Sequence, residues 1–256
     1  PSFSIQKLDY DDAATYKMLG QGETEGVFQL ESSGMKQVLV GLQPQNLEDV
    51  IALISLYRPG PMDSIPTYLR NRHEPDKISY KTPQLAHILD VTNGCIVYQE
   101  QVMQIFRELA GFSFGQADNV RRAMSKKKHA VMEAEREHFV HGCTEPGHEC
   151  PGCVANGISE KVANEIYDEM SSFASYAFNK SHAACYAYVA FQTAYLKCHY
   201  PSEFMAALLT SVLDNTDKVI EYSGECARLG IKVLPPDVNI SNGGFTADNG
   251  KIRFGL

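Results

Sequence analysis

Apolar residues return every three or four positions along most of this chain, the spacing of a mainly α-helical protein. Residues 47–56 (LEDVIALISL) hold that period and then stop at Arg58-Pro59-Gly60-Pro61, where two prolines fix φ. Asp63 or Ser64 is placed to cap a short segment running to about Arg72. A short helix then precedes an expected strand at 95–98, and residues 99–110 (QEQVMQIFRELA) form an amphipathic helix ended by Gly111. Residues 115–126 and 128–140 read as two more helices, and Ser159, Glu160 and Lys161 open another to about Ser171. Residues 181–198 leave almost no polar face, so this helix is expected in the centre of the fold. Two further helices cover 202–213 and 215–229, the second ended by Gly230. After Leu234-Pro235-Pro236 the period changes to two: FTADNGKIRFG predicts a β-hairpin around Asn249-Gly250. The fold class is therefore mainly α, an irregular multi-helix domain with a short β-hairpin at the C-terminus.

Composition narrows the function classes. A chain of 256 residues that is 44% hydrophobic buries a sizeable core, and its 21% charged fraction argues against disorder. No apolar run is long enough for a membrane span and the start does not read as a signal peptide, so the expectation is a soluble cytoplasmic protein with no membrane partner. Seven cysteines without framework spacing favour free thiols or a metal site over disulfides. The net charge of −8 is unlike that of a stand-alone nucleic-acid binder, so any phosphate binding must be local. Both ends, Pro1 and KIRFGL, read as cuts from a longer chain.

One local place is evident. In DNVRRAMSKKKH (118–129), Arg121, Arg122, Lys126, Lys127 and Lys128 meet no carboxylate between Asp118 and Glu133. Val120, Ala123 and Met124 fall on one face and can pack inward, leaving the cations outward. Arginine forks and lysine point charges suit a triphosphate and the charge that develops in phosphoryl transfer. A solvated helix with an ordinary Asp118–Arg122 pair accounts for the same residues.

Three further constellations carry chemistry. In FNKSHAACYA (178–187), Asn179 or Ser181 can cap a helix whose free N–H groups, with Lys180 and His182, make an anion-binding corner. The Gly-x4-Gly of a P-loop is absent upstream, and a capped core helix explains these residues as well. In LYRPGPMD (56–63), Arg58 precedes a rigid turn that can aim its guanidinium, and Glu100 in YQEQVM opens a helix, although turns and helix starts routinely look like this. Finally, Cys150-Pro-Gly-Cys153 has zinc-knuckle spacing, and Cys143 with His148 would complete four ligands of a structural Zn²⁺ site. A Gly- and Pro-rich surface turn with free thiols is the ordinary reading of that loop. The acidic DYDD at 9–12 reads as a cap for the helix ending at Gly20.

Taken in order, LDYDDAATYKMLGQGETEGVFQLESSGM, IALISLYRPGPM, GCIVYQEQVMQI, AGFSFGQADNVRRAMSKKK, FASYAFNKSHAACYAYVAFQTAYLKCHYPSEFMAALLTS and GIKVLPPDVNIS resemble the fingers region of the bacterial DNA polymerase III alpha subunit, DnaE type, of the C-family replicative polymerases. The resemblance covers nearly the whole chain. It implies a palm-to-fingers lead-in at 1–30, a helical fingers domain at 31–234, and the start of the following region at 235–256. It implies a part of a DNA-directed DNA polymerase that contacts dNTP and template-primer DNA. Arg121 and Arg122 match the arginines that the resemblance places on the triphosphate, with Lys126, Lys127, Lys180 and His182 as neighbours; Arg58 joins the nucleotide-binding candidates from its rigid turn. The catalytic aspartates and their two Mg²⁺ ions would lie upstream, so no catalytic residue is expected here and the fragment alone would be inactive. A sliding clamp, clamp loader and helicase are the implied partners of the parent chain. The cysteine-rich loop has no counterpart role in the resemblance. The competing reading from another class is a non-catalytic helical module that docks an acidic partner, with a zinc-stapled loop.

Overall fold

The computed structural model describes residues 3–126, 129–174 and 176–256. Among these, thirteen α-helices follow one another: α1 (Ala13–Gly20), α2 (Ser33–Leu42), α3 (Leu47–Leu56), α4 (Ile65–His73), α5 (Ala86–Leu89), α6 (Gln99–Ala110), α7 (Phe114–Ser125), α8 (His129–His141), α9 (Gly152–Ala155), α10 (Glu160–Ala174), α11 (Lys180–His199), α12 (Pro201–Ser211) and α13 (Thr216–Arg228). Three short strands close the chain: β1 (Val233–Leu234), β2 (Thr246–Asp248) and β3 (Lys251–Arg253). The mainly α class holds. The hairpin holds too, with β2 antiparallel to β3 and positive φ at Asn249 (49°) and Gly250 (74°), as a two-residue primed turn requires. β1 adds to it, pairing parallel with β3 in the order β1-β3-β2.

Local chemistry explains the helix starts. Asp12 accepts from the Thr15 N–H at 2.8 Å, Ser32 from Met35 N–H at 3.3 Å, and Asn215 from Lys218 N–H at 3.1 Å. Ser113 and Gln116 form a reciprocal capping box at α7. Ser64 makes no such bond; a 3₁₀ turn at Pro61–Ser64 leads into α4 instead.

Contacts divide the chain into two compact units, residues 51–184 and residues 1–50 with 185–256. In the first, the period of α6 sets the core. Val102, Ile105, Phe106 and Leu109, at i, i+3, i+4 and i+7, are all fully buried, each side chain contributing roughly 1.5–3 kcal/mol. The Phe106 ring meets Phe112, Phe139 and Tyr167 at centroid distances of 5.3, 5.1 and 6.0 Å. Gly111 ends α6 in the left-handed region (φ 75°), and a Cβ there would lie 2.5 Å from Pro151 Cδ.

Two expectations are corrected. Among the described residues, 95–98 form no strand ladder; they contribute a single parallel bridge, Tyr98 to Phe178, since α6 begins directly after it at Gln99. α11 is not buried all round: Ala183, Ala187, Ala190, Phe191 and Ala194 form one buried stripe, while Tyr188 (44% exposed) and Val189 (42%) face solvent. Alanines satisfy an apolar pattern on every side but mark no particular face, so packing chooses it.

In the second unit, Met205, Leu209, Tyr222, Cys226, Phe245 and Ile252 pack α12 and α13 against the sheet. Beneath them lies an ion pair with almost no exposure, Lys197 (1%) to Glu225 (3%) at 2.7 Å. Lys197 Nζ also donates to the Glu23 and Glu25 carbonyls at 3.0 and 2.9 Å, and Arg228 donates to both Glu225 oxygens. Burial raises the Glu225 carboxyl pKa, but bonds from Arg228 and Lys197 outweigh it, leaving it below the ordinary glutamate value. The folded form thus binds fewer protons than the unfolded chain, so this stabilisation is present above the unfolded pKa and lost as pH falls through the folded one. Glu225→Gln removes the nearest carboxylate from a buried ammonium and should cost about 3 kcal/mol at neutral pH by denaturant titration, a deficit that narrows in acid. A deficit that did not change with pH would assign the loss to packing rather than charge.

Candidate functional site

Two chain segments far apart in sequence are laced together at residues 97–99 and 177–178. The Phe178 N–H donates to Val97 O at 3.2 Å and the Gln99 N–H to Phe178 O at 2.9 Å. The Gln99 side-chain amide donates to Ala177 O at 3.0 Å. This lacing starts α6 and α11 side by side. Gln101 braces it from within: its Oε1 accepts from the Val97 and Tyr98 N–H groups, both at 2.9 Å, and its amide donates to Ile88 O and Thr92 Oγ1.

The anion-binding corner expected at α11 is already taken. The Lys180 N–H donates to the two Glu100 oxygens at 3.2 and 3.1 Å, and Asn179 Oδ1 caps the helix by accepting from the His182 N–H at 2.9 Å. Glu100 is thus the internal anion on the positive end of that helix. The Lys180 ammonium lies 5.2 Å from the Tyr98 ring centroid. Arg58 stacks on Phe178 at 4.4 Å and donates to Tyr176 O, while its Nε is buried without a partner among the described residues. Burial pulls the Arg58 pKa down. Gly60 is required beside it: φ is 100°, and a Cβ would lie 2.3 Å from the Tyr176 ring.

Val120, Ala123 and Met124 of α7 are buried, so the inward face is as expected. The two arginines behave differently. Arg121, only 17% exposed, donates to Asp118 (2.7 Å) and to Gln99 Oε1 (3.1 Å); Arg122, 64% exposed, reaches the other Asp118 oxygen at 2.8 Å. Bonding from Arg121 above all holds the Asp118 carboxyl below its ordinary range. Arg121 is therefore a half-buried member of the lacing rather than a loose surface cation. Lys126 is exposed; Lys127 and Lys128 lie outside the described residues.

Gln99 thus couples the basic helix to the start of α11, and a cleft of about 550 Å³ opens between them, lined by Gln99, Glu100, Arg107, Asp118, Arg121 and Asn179. Sequence reasoning missed Gln99 and Arg107. Arg107 was findable, since it shares the polar face of α6 with Glu100 and Gln104 at i, i+4, i+7. Gln99 carried no signal, because its role exists only once the two segments meet.

A family model described as the bacterial DNA polymerase III alpha subunit finger domain matches residues 1–147. This chain belongs to that family. The chain is also similar to DNA polymerase III subunit alpha from Thermus aquaticus (50% identity over 98% of this chain), Bacillus subtilis strain 168 (46% over 98%) and Pasteurella multocida strain Pm70 (45% over 100%). It spans 20–22% of the length of these relatives.

In this finger domain the four expected zinc ligands do not gather. Cys143 and Cys150 form a backbone bridge, and Cys150 Sγ points to the His138 carbonyl at 3.6 Å. Cys153 is fully buried among the apolar side chains, which push its thiol up to about 12. No three of Cys143, His148, Cys150 and Cys153 bring ligand atoms within 4.8 Å of one another. The CxxC spacing is consumed by a turn: Cys153 opens inward because Gly152, with φ 79°, lies against Gly142 N, where a Cβ would come to 2.3 Å.

Because Gln101 satisfies four buried groups at the lacing, Gln101→Ala should lower the stability of this finger domain by about 3 kcal/mol in denaturant titration. A change below about 1 kcal/mol would mean that the lacing holds without its brace.

Proposed function

We propose that this chain is the fingers module of a replicative DNA-directed DNA polymerase, a cytoplasmic nucleotidyltransferase, and that its basic helix grips the triphosphate of the incoming dNTP. The observation that carries this reading is the Arg121–Asp118–Arg122 arrangement, where two guanidinium groups share one carboxylate and Asp118 and Arg121 line the cleft. Phosphate oxygens offer the same acceptor geometry with more charge, so a triphosphate can take Asp118's place on Arg122, the exposed partner, while Arg121 stays anchored by Gln99. Lys126 and Lys127 would extend the grip, and Arg58, Lys180 and His182 would meet nucleotide or template-primer DNA from the α11 side.

The chemistry served is transfer of a nucleotidyl group: the primer 3′ hydroxyl gives up its proton to solvent, its oxygen bonds to the α-phosphorus, and the bond from that phosphorus to the bridging oxygen breaks to release pyrophosphate. Mg²⁺ would supply Lewis acidity when bound. The side chains described here do not fit that metal pair, since their grouping of ligand atoms, Asp12 with Cys198 and His199, lacks the all-oxygen set Mg²⁺ prefers. As the family resemblance implies, we place the Mg²⁺ ions, and the catalytic carboxylates, outside this chain, which alone would be inactive. Residues 1–30 would lead in from the palm, 31–234 form the fingers, and 235–256 begin the next region. A sliding clamp, clamp loader and helicase would engage the parent chain elsewhere.

The test is primer extension by the full-length parent, wild type against Arg121→Ala/Arg122→Ala, across a dNTP titration. The double variant should need at least ~10-fold more dNTP, the worth of charge-assisted bonds to phosphate, with primer-template binding intact. Because Arg121 is half-buried, its loss should also cost about 1 kcal/mol of stability, and Arg122→Ala alone separates the two effects. An unchanged dNTP requirement overturns the grip. If an acidic protein bound the basic helix and free dNTP could not displace it, the docking reading would stand instead.

A further inference from the structure

The unit formed by residues 1–50 and 185–256 holds a cluster that the polymerase reading does not use. Asp12 sits at the N-cap of α1, and Cys198 and His199 occupy the last turn of α11. Although most of the chain separates them, one ligand atom from each lies within 4.8 Å of the other two. Asp12 Oδ2 is 2.9 Å from His199 Nε2, and it is held in place by the Thr15 N–H (2.8 Å) and Thr15 hydroxyl (2.6 Å). The His199 ring is steadied by Tyr195 one turn earlier, with centroids 4.4 Å apart.

A capped helix with an Asp–His pair would explain two of these groups. It does not require the third, a half-buried thiol that bonds with the Thr15 side chain and converges on the same point. From that convergence we infer that Asp12, Cys198 and His199 form a Zn²⁺ site. A thiolate, an imidazole and a carboxylate are a borderline-soft donor set, which selects Zn²⁺ over Mg²⁺ or Ca²⁺. Ligand atoms around a tetrahedral zinc lie roughly 3.5 Å apart at ordinary bond lengths, so the Asp12–His199 pair, now in direct hydrogen-bond contact, must open slightly while the Cys198 thiol closes toward both. His199 and Asp12 retain partial exposure, 33% and 21% of their side chains, which leaves room for that adjustment and a path for the ion. Three protein ligands leave a fourth position for water. Binding releases the thiol proton of Cys198 to solvent, and the metal then ties the end of α11 to the start of α1.

The site is tested on the intact protein by titration with Co²⁺, which reports a bound thiolate through a near-ultraviolet charge-transfer band, and by zinc content after dialysis against Zn²⁺. Wild type should show the band, and Cys198→Ser should lose it together with one equivalent of zinc. His199→Ala should weaken Co²⁺ binding about 10-fold or more. Far-ultraviolet circular dichroism of each variant separates loss of a ligand from loss of fold; should Cys198→Ser unfold, Cys198→Ala replaces it. No band in the wild type overturns the site. So does a band that survives Cys198→Ser but disappears in Cys150→Ser or Cys153→Ser, which would assign the metal to the cysteine-rich loop.

Discussion

The backbone lacing between 97–99 and 177–178 is the constraint on which the candidate site rests. Those few hydrogen bonds bring together three peptides that are distant in sequence: the start of α6, the basic helix α7 through Arg121, and the start of α11. Without it, Gln99 could not touch Arg121 and Ala177 at once, Glu100 could not reach the Lys180 N–H, and Phe178 would not lie under the Arg58 guanidinium. Gln101 exists in this place to satisfy the backbone that such a junction would otherwise leave buried and unpaired.

Charge within the chain is arranged by internal pairing. Glu100 covers a helix N-terminus, Asp118 holds two arginines, and Glu225 holds a lysine and an arginine. This resolves the tension between a net charge of −8 and a phosphate-binding reading. A carboxylate that neutralises a cation cluster in the free protein keeps it ordered, and a more highly charged anion can displace it from the exposed member. Asp118 thus keeps Arg121 and Arg122 from being left uncompensated in the free protein.

Much of the fold was legible in the sequence. The limits of α3 and α6, the cap at Asp12, the inward face of α7 and the Asn249-Gly250 hairpin follow from local rules, namely apolar period, side-chain-to-backbone capping and turn chemistry. The misreadings have a shared cause. Residues 95–98 look like a strand because β-branched apolar residues favour extended backbone, yet among the described residues the pairing stops at the single Tyr98–Phe178 bridge. The alanines of α11 look central on all sides because alanine is indifferent to burial. The CxxC loop looks like a zinc knuckle because spacing does not say which way a thiol points.

The sequence by itself determined the family, the helix positions and the existence of a cationic helix with one apolar face, since each is encoded in residues near one another or in ordered matches along the chain. Only the tertiary structure decided which cations are bound and which are exposed: Arg121 anchored to Gln99, Arg122 exposed, and the helix end of α11 occupied by Glu100. It alone brought Asp12 to Cys198 and His199. The reason is physical. Helical propensity and capping act within a few residues, whereas the partner of a charge or a thiol is set by which distant segments the packed core brings within a few ångströms.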